Sequence, residues 1–209
     1  MEQSENRSTV RVFLSSVIER MRPIEGWLAD AEACLLVAAV AEAVKAHPDA
    51  RAIVEIGSYC GKSTVVLGSA LSLAKSTEIK IFAVDPHEGV VGALEYGLEQ
   101  MPPTFESFQR NIRDAGLENL VEIVRMYSFE VEWDQPICLL FIDGLHDYKN
   151  VARDFNHFDS WVVPGGFVAF HDYVDHFPGV KTFVDELIAG GRYLALRSAL
   201  STIVLRKKT

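Results

Sequence analysis

Apolar residues recur along this chain in two rhythms, and the change from one to the other lays out its elements. Residues 10–21 place Val10, Phe13, Leu14, Val17, Ile18 and Met21 at helical spacing, with Ser15, Ser16, Glu19 and Arg20 opposite, which predicts an amphipathic helix. Pro23 and Gly26 break it, and a second helix is predicted from Asp30, read as its cap, to Ala46, before Pro48. From residue 53 the rhythm shortens. Apolar runs suited to strands buried on both faces fall at 53–56, 79–84, 121–124, 137–142 and 167–170, the last after the turn Pro164-Gly165-Gly166. Helical patterns fall between and after them at 64–74, 104–115 with Thr104 as cap, 147–161 and 180–189. Residues 192–196 and 202–205 close the chain as a strand pair. Residues 87–103 have no clear period, with Gly89, Gly92, Gly97 and Pro102-Pro103, and a connection of that length predicts a lid or substrate loop.

Alternation of apolar strands with helices predicts a doubly wound, mostly parallel α/β sheet with helices on both faces. At 209 residues and 49% apolar, the chain reads as one domain, with a helical cap at 1–48 and a core at 49–209. The net charge of −9 argues against a nucleic-acid partner, since Arg206, Lys207 and Lys208 form only a short basic tail. No apolar run reaches about 18 residues, and the opening Met-Glu-Gln-Ser-Glu-Asn is neither signal nor anchor, so a soluble, cytoplasmic protein with no membrane partner is expected. Cys34, Cys60 and Cys138 lie far apart and are expected to be buried, reduced thiols.

The chemistry concentrates at strand ends, where open parallel sheets bind their ligands. The strand at 53–56 runs into a turn bounded by Gly57 and Gly61, and Glu55 is a carboxylate inside that apolar strand, which needs a hydrogen-bonding partner or a ligand. A phosphate-binding P-loop needs four residues between its glycines, and here there are three before Lys62-Ser63. A dinucleotide fingerprint needs a middle glycine, which Ser58 to Cys60 do not supply. What remains is Glu-x-Gly-x-x-x-Gly with an acid, Asp85, at the end of the next strand. Further ends carry Tyr127-Ser128, Asp143-Gly144-Leu145-His146 and His171-Asp172.

If a crossover helix joins the strands at 137–142 and 167–170 as parallel neighbours, their ends lie about 5 Å apart, so Asp143 and Asp172 converge on one crevice. Two such carboxylates either cap the helices that follow or hold a divalent cation, Mg2+ or Mn2+, which eases deprotonation of a substrate hydroxyl. His171 is either a third ligand, tilting the preference away from magnesium, or no ligand. His146 has the pKa class of a general base. His87, Glu88 and Tyr96 are candidate substrate contacts on the loop, whereas His47, His157 and His176 read as surface or helix-end residues. The stripe Val10 to Met21 packs either across the cofactor mouth or in a contact between two copies.

Four segments, Glu55-Ile56-Gly57-Ser58-Tyr59-Cys60-Gly61-Lys62-Ser63, Val84-Asp85-Pro86-His87, Phe141 to Tyr148 and Pro164 to Tyr173, resemble the class I S-adenosylmethionine-dependent methyltransferases. In particular they resemble a small bacterial group linked to sugar and antibiotic O-methylation. The resemblance covers nearly the whole chain and implies a Rossmann-like sheet of seven strands, the last antiparallel. It implies S-adenosylmethionine as cofactor, bound by Glu55, Gly57, Ser58, Tyr59, Gly61, Ser63, Asp85, Ser128 and Asp143. Glu55 would orient the turn or the cofactor's amino group, Asp85 would bind ribose, and Ser128 would lie near the adenine. The metal-dependent catechol-type enzymes are similar in carrying an acid after the fourth strand and an acid-amide pair after the fifth, matched here by Asp143 and, as a departure, His171-Asp172. His146 stands where the sugar methyltransferases carry a general base. The expected reaction is O-methylation of a small hydroxylated molecule such as a sugar or glycosylated metabolite. The alternatives are metal-independent transfer to nitrogen or carboxylate, a cofactor-binding module without catalysis, and nucleotide hydrolysis.

Overall fold

The computed structural model describes residues 2–74, 78–94 and 96–209, with side chains from Thr9 onward. The N-terminal cap is α1 (Glu2–Met21) and α2 (Asp30–Ala46). The core follows as β1 (Ala52–Ile56), α3 (Lys62–Ala74), β2 (Lys80–Val84), β3 (Val90–Ala93), β4 (Gly97–Gln100), α4 (Phe105–Asp114), β5 (Val121–Val124), β6 (Ile137–Ile142), α5 (Tyr148–Phe158), β7 (Val162–Phe170), α6 (Pro178–Ala189), β8 (Tyr193–Ala199) and β9 (Thr202–Lys207). Seven strands pair in the order β5-β2-β1-β6-β7-β9-β8. The first five in that order are parallel, and β9 runs antiparallel to both its neighbours.

Period-two alternation divides each strand between two cores. Ile53, Ile81, Leu139, Phe141, Phe167 and Ala169 face the layer of α1 to α4, where Leu36, Val40, Leu67 and Phe108 are buried. Val54, Ile56, Leu140, Ile142, Val168 and Phe170 face α5 and α6, with Phe155, Phe158 and Val184. Both faces are dry, which explains why these strands read as unbroken apolar runs. The order in which strands are added to the sheet reverses at β1, whose neighbours are β2 and β6, and that reversal opens a crevice at the carboxyl ends of β1, β2, β6 and β7.

Several elements differ from the sequence expectation, each for a local reason. Residues 90–100, expected as a loop, contain the antiparallel hairpin β3–β4; Glu95 at its tip lies outside the described residues. Strand β7 begins at Val162, and its register against β6 jumps from Val162 to Phe167, so Pro164-Gly165-Gly166 is a bulge within the strand. Ala29 caps α2, while Asp30 is its first residue and pairs with Arg22. The Thr104 hydroxyl bonds His87 Nδ1 at 2.9 Å instead of capping α4. Asp147 does cap α5, accepting from the Asn150 N–H at 3.1 Å. In α1, Val17 and Met21 are buried against the core, while Val10 and Val12 face outward. Cys60 and Cys138 are buried thiols, and Cys34 is only partly covered. Among the described residues no helix is long and apolar enough to cross a membrane.

Candidate active site

A cavity of about 870 Å³ occupies the crevice. Its floor is the carboxyl ends of β1, β2, β6 and β7, and its rim is the hairpin β3–β4 on one side and Glu25 to Leu28, the α1–α2 connection, on the other. The hairpin is fastened at the site itself, since the His146 N–H donates to the Gly92 carbonyl at 3.1 Å.

The turn after β1 is tightly specified. Gly57 has φ of +86°, and a Cβ there would stand 2.1 Å from the Asp143 carbonyl oxygen, so only glycine lets β1 and β6 release their chains side by side. Tyr59, also at positive φ, donates its N–H to Asp85 Oδ2 at 2.8 Å, and the His87 N–H donates to Asp85 Oδ1 at 2.6 Å. Asp85 thus pins the turn while lining the cavity. The Tyr59 hydroxyl reaches Glu25 at 2.9 Å and Lys62 Nζ donates to the Gly26 carbonyl at 2.9 Å, clasping the cap to the turn. Ser58 and Ser63 line the cavity, and the buried Ser58 Oγ has no partner among the described residues.

Glu55 lies beneath the turn and does not line the cavity. Its carboxylate is fully buried on the α3 face and accepts from the Thr64 hydroxyl. Burial, with the nearby charges of Asp143 and Asp85, pushes it up to about 8 against the pull of the Ser63 and Thr64 hydroxyls, so it is neutral at pH 7. Ser128 does line the cavity, and its hydroxyl donates to Asp154 of α5. Burial raises Asp154 to about 6.

The remaining expected residues gather into one cluster. Asp143 leaves β6, His171 and Asp172 leave β7, and His146 lies on the loop between β6 and α5. His146 Nε2 stands 2.9 Å from Asp172 Oδ2, its ring rests edge-on against Phe177, and its Nδ1 has no partner among the described residues. His171 Nδ1 lies 3.0 Å from that same Asp172 oxygen and 3.2 Å from Asp143 Oδ1, as charge contacts without the alignment of hydrogen bonds. Burial opposes charge on His171, but Asp143, Asp172 and Glu32 outweigh it and hold the imidazole protonated. Asp172 is drawn below the carboxylate range by the two histidines despite its burial. Asp143 is pushed upward by burial, with His171 opposing. Asp172 also has φ of +60°, an unfavourable backbone that persists where surroundings impose it, here with the Tyr173 N–H donated to the Ser201 carbonyl. One oxygen or nitrogen from each of Asp143, His146 and Asp172 falls within 4.8 Å of the others, a spacing that can surround a metal ion.

Residues 54–173, more than half of the chain and including Asp85, Asp143, His146, His171 and Asp172, match the family model of the methyltransferase domain. The chain belongs to the methyltransferase-domain family.

Two curated relatives of this chain carry the description uncharacterized protein. Protein R132 of Acanthamoeba polyphaga mimivirus is 29% identical over 152 residues, covering 66% of this chain and 61% of its own. Protein y4gI of Sinorhizobium fredii is 30% identical over 141 residues, covering 66% of this chain and 15% of its own. The chain therefore spans under two thirds of either relative. Among solved structures, the O-methyltransferase NovP superposes with a TM-score of 0.74 at 17% identity, covering 87% of this chain and 81% of that one. TomG of Streptomyces achromogenes, an O-methyltransferase solved with S-adenosylmethionine, gives 0.62 at 16% identity, with 94% and 90% covered. These likenesses establish the fold.

Sequence reasoning missed several groups of the methyltransferase site. Glu32 is buried on α2 and accepts from Ser201; it shares the inward stripe with Leu36, Ala39 and Ala43, and its place on that stripe was the available signal. Asp154 gave none, since one acid on an amphipathic helix reads as surface. His176 is exposed, as expected, and in addition lines the cavity and stacks parallel on Tyr96 at 5.4 Å. His87 is the reverse case. Expected to contact substrate, it is fully buried against Phe105 and Phe108 and lines nothing, whereas Glu88 and Tyr96 do line the cavity.

Proposed function

We propose that this methyltransferase catalyses S-adenosylmethionine-dependent O-methylation of a small hydroxylated molecule, such as a sugar or glycosylated metabolite. The observation that carries the reading is the His146–Asp172 pair in the wall of a cavity floored by the Gly57 turn. The residues fit the cofactor. Ser58 Oγ is a buried hydroxyl in need of a partner, Asp85 is a carboxylate at the end of β2, and Ser128 stands in the same wall. Residues 57–63, Asp85, Ser128 and the Asp143 end of β6 would hold it, with Glu55 supporting the turn from below. When bound, the cofactor supplies an electrophilic sulfonium methyl group.

The chain's own work is to present a hydroxyl and remove its proton. Asp172 on Nε2 orients the His146 ring and stabilises the imidazolium; Nδ1 has no partner among the described residues but is buried, so it accepts the proton once the ring tilts toward the acceptor. The hairpin and the Trp27–Tyr59 aromatic pair, 5.2 Å between centroids, wall the mouth against water. Two of the structural neighbours, NovP and TomG, are O-methyltransferases, which supports oxygen as the acceptor.

A second reading uses the same residues differently. Asp143, His146 and Asp172 have the donor set and spacing to hold a divalent cation, Mg2+ or, given a histidine ligand, Mn2+. A cation there would lower the pKa of the acceptor hydroxyl. His171, considered as a ligand from sequence, would act from behind the carboxylates rather than among the three converging donors. Calorimetric titration with S-adenosylmethionine and S-adenosylhomocysteine, with and without Mg2+ or Mn2+, tests both readings. Binding of neither nucleoside removes the function. Turnover that survives a chelator removes the cation and leaves His146 as the base, or transfer to nitrogen or carboxylate.

A further inference from the structure

The cap reaches into the reaction centre through one carboxylate. Glu32, 2% exposed, uses Oε2 to accept from the Ala29 N–H at 2.9 Å and to meet His171 Nε2 at 3.4 Å. Its Oε1 accepts from the Ser201 N–H at 3.0 Å and the Ser201 hydroxyl at 2.5 Å, with the Thr202 hydroxyl at 3.3 Å. Burying a carboxylate this completely is costly, and the start of α2 and the β8–β9 turn could both be closed with neutral groups. A charge is required only on the side that faces His171.

From this geometry we infer that Glu32 is a positioning residue of the reaction centre. It anchors the outer edge of the His171 ring, so that the inner edge holds Asp143 and Asp172, and Asp172 in turn presents Oδ2 to His146. The path is continuous. Glu32 Oε2 meets His171 Nε2, His171 Nδ1 lies 3.0 Å from Asp172 Oδ2, and His146 Nε2 lies 2.9 Å from that same oxygen. Without the Glu32 charge, the outer side of His171 keeps the Ser201 hydroxyl, 3.5 Å from Nε2, but no opposite charge among the described residues, and its ring is held less firmly against the carboxylate pair. Asp172 and His146 then lose their fixed relation although neither has been altered. The inference rests on the role proposed for His146, and it gives the cap a function beyond covering apolar surface: the reacting groups are ordered only when α2 is docked.

Nitrogen-15 correlation spectra of the histidine rings, recorded on the intact chain and assigned with His146→Asn and His171→Asn, test it without any acceptor. In Glu32→Gln, which removes the charge and keeps an acceptor oxygen for one of Ala29 and Ser201, the other position becoming an amide NH2, the ring signals of both His171 and His146 should move. S-adenosylhomocysteine affinity should stay within about threefold, a change worth well under 1.4 kcal/mol. Thr202→Val is the control for a purely structural role, since it removes a bond to Glu32 Oε1 without touching His171. Its melting point should fall while the His146 signals stay in place. His146 signals unmoved in Glu32→Gln would overturn the proposal. Should that variant not fold, Glu32→Asp, with the charge kept and the arm shortened, is read in the same way: moved His146 signals support the proposal and unmoved ones overturn it. Failure of the wild type to bind S-adenosylhomocysteine would count against the methyltransferase function alone and leave the ring signals to decide this point.

Discussion

The buried carboxylate of Glu55 accepts a hydrogen bond from the hydroxyl of Thr64, joining the middle of β1 to the first turn of α3 from beneath the cavity floor. Burial raises its pKa from an ordinary 4.5 to about 8. The folded state therefore holds a proton that the unfolded chain gives up earlier. Its contribution is complete below pH 4.5 and is lost as pH rises toward 8. Across that window the shift corresponds to a few kcal/mol, on the order of 3–5. Denaturant unfolding at pH 5, 7 and 9 should show wild-type stability falling with pH relative to Glu55→Gln, which cannot ionise. Parallel curves for the two proteins would mean that Glu55 does not titrate in this range.

Gly57→Ala should be severe. The substitution puts a methyl group 2.1 Å from a backbone carbonyl at a φ of +86°. Left-handed backbone and overpacking each cost about 1–3 kcal/mol, and here neither neighbour is a flexible side chain. A drop in melting temperature together with loss of S-adenosylhomocysteine binding is expected by calorimetry.

His146→Ala and Asp172→Asn separate chemistry from binding. Both residues lie on the reaction side of the cavity, so single-turnover methyl transfer should fall by about 10²–10⁴ in His146→Ala, the usual worth of a general base. Cofactor affinity should be nearly unchanged in that variant. Asp172→Asn should be milder, since the ring nitrogen keeps a hydrogen-bonding partner. Unimpaired transfer in His146→Ala would rule out its role as the base.

Tyr96 on the hairpin stacks on His176 across the cavity mouth, and both side chains line it. Tyr96→Ala should raise KM for the acceptor while leaving S-adenosylhomocysteine affinity within about twofold, a loss of uniform binding rather than of chemistry. An equal loss of cofactor affinity would place the hairpin over the nucleoside instead.

The sites that sequence could indicate were those where a residue type contradicts its local pattern. Glu55 inside an apolar strand, Gly57 and Gly61 bounding a short turn, and acids at successive strand ends all conflict with simple packing, and each falls in or under the cavity. The hairpin at 90–100 escaped because its strands are short and rich in glycine, and its pairing brings in no long apolar alternation. His87 was misplaced because a histidine carries no periodic signal of its own, while His176 is at the surface as expected but also borders the cavity. Which one faces ligand is set by the aromatic rings that pack around it.

What the sequence by itself determined is the layered sheet and the edge at which its cavity opens. Period-two and period-3.6 patterns are local, and a parallel sheet with a strand-order reversal leaves only one edge where loops can converge. Only the tertiary structure decided which polar groups meet. Glu32 and His171 are 139 residues apart, and the contact exists because α2 docks across β7 and β9. Ser128 finds Asp154 because α5 folds back over β6. A buried charge is stabilised by partners at distances of a few ångströms in space, and spacing along the chain does not encode that distance.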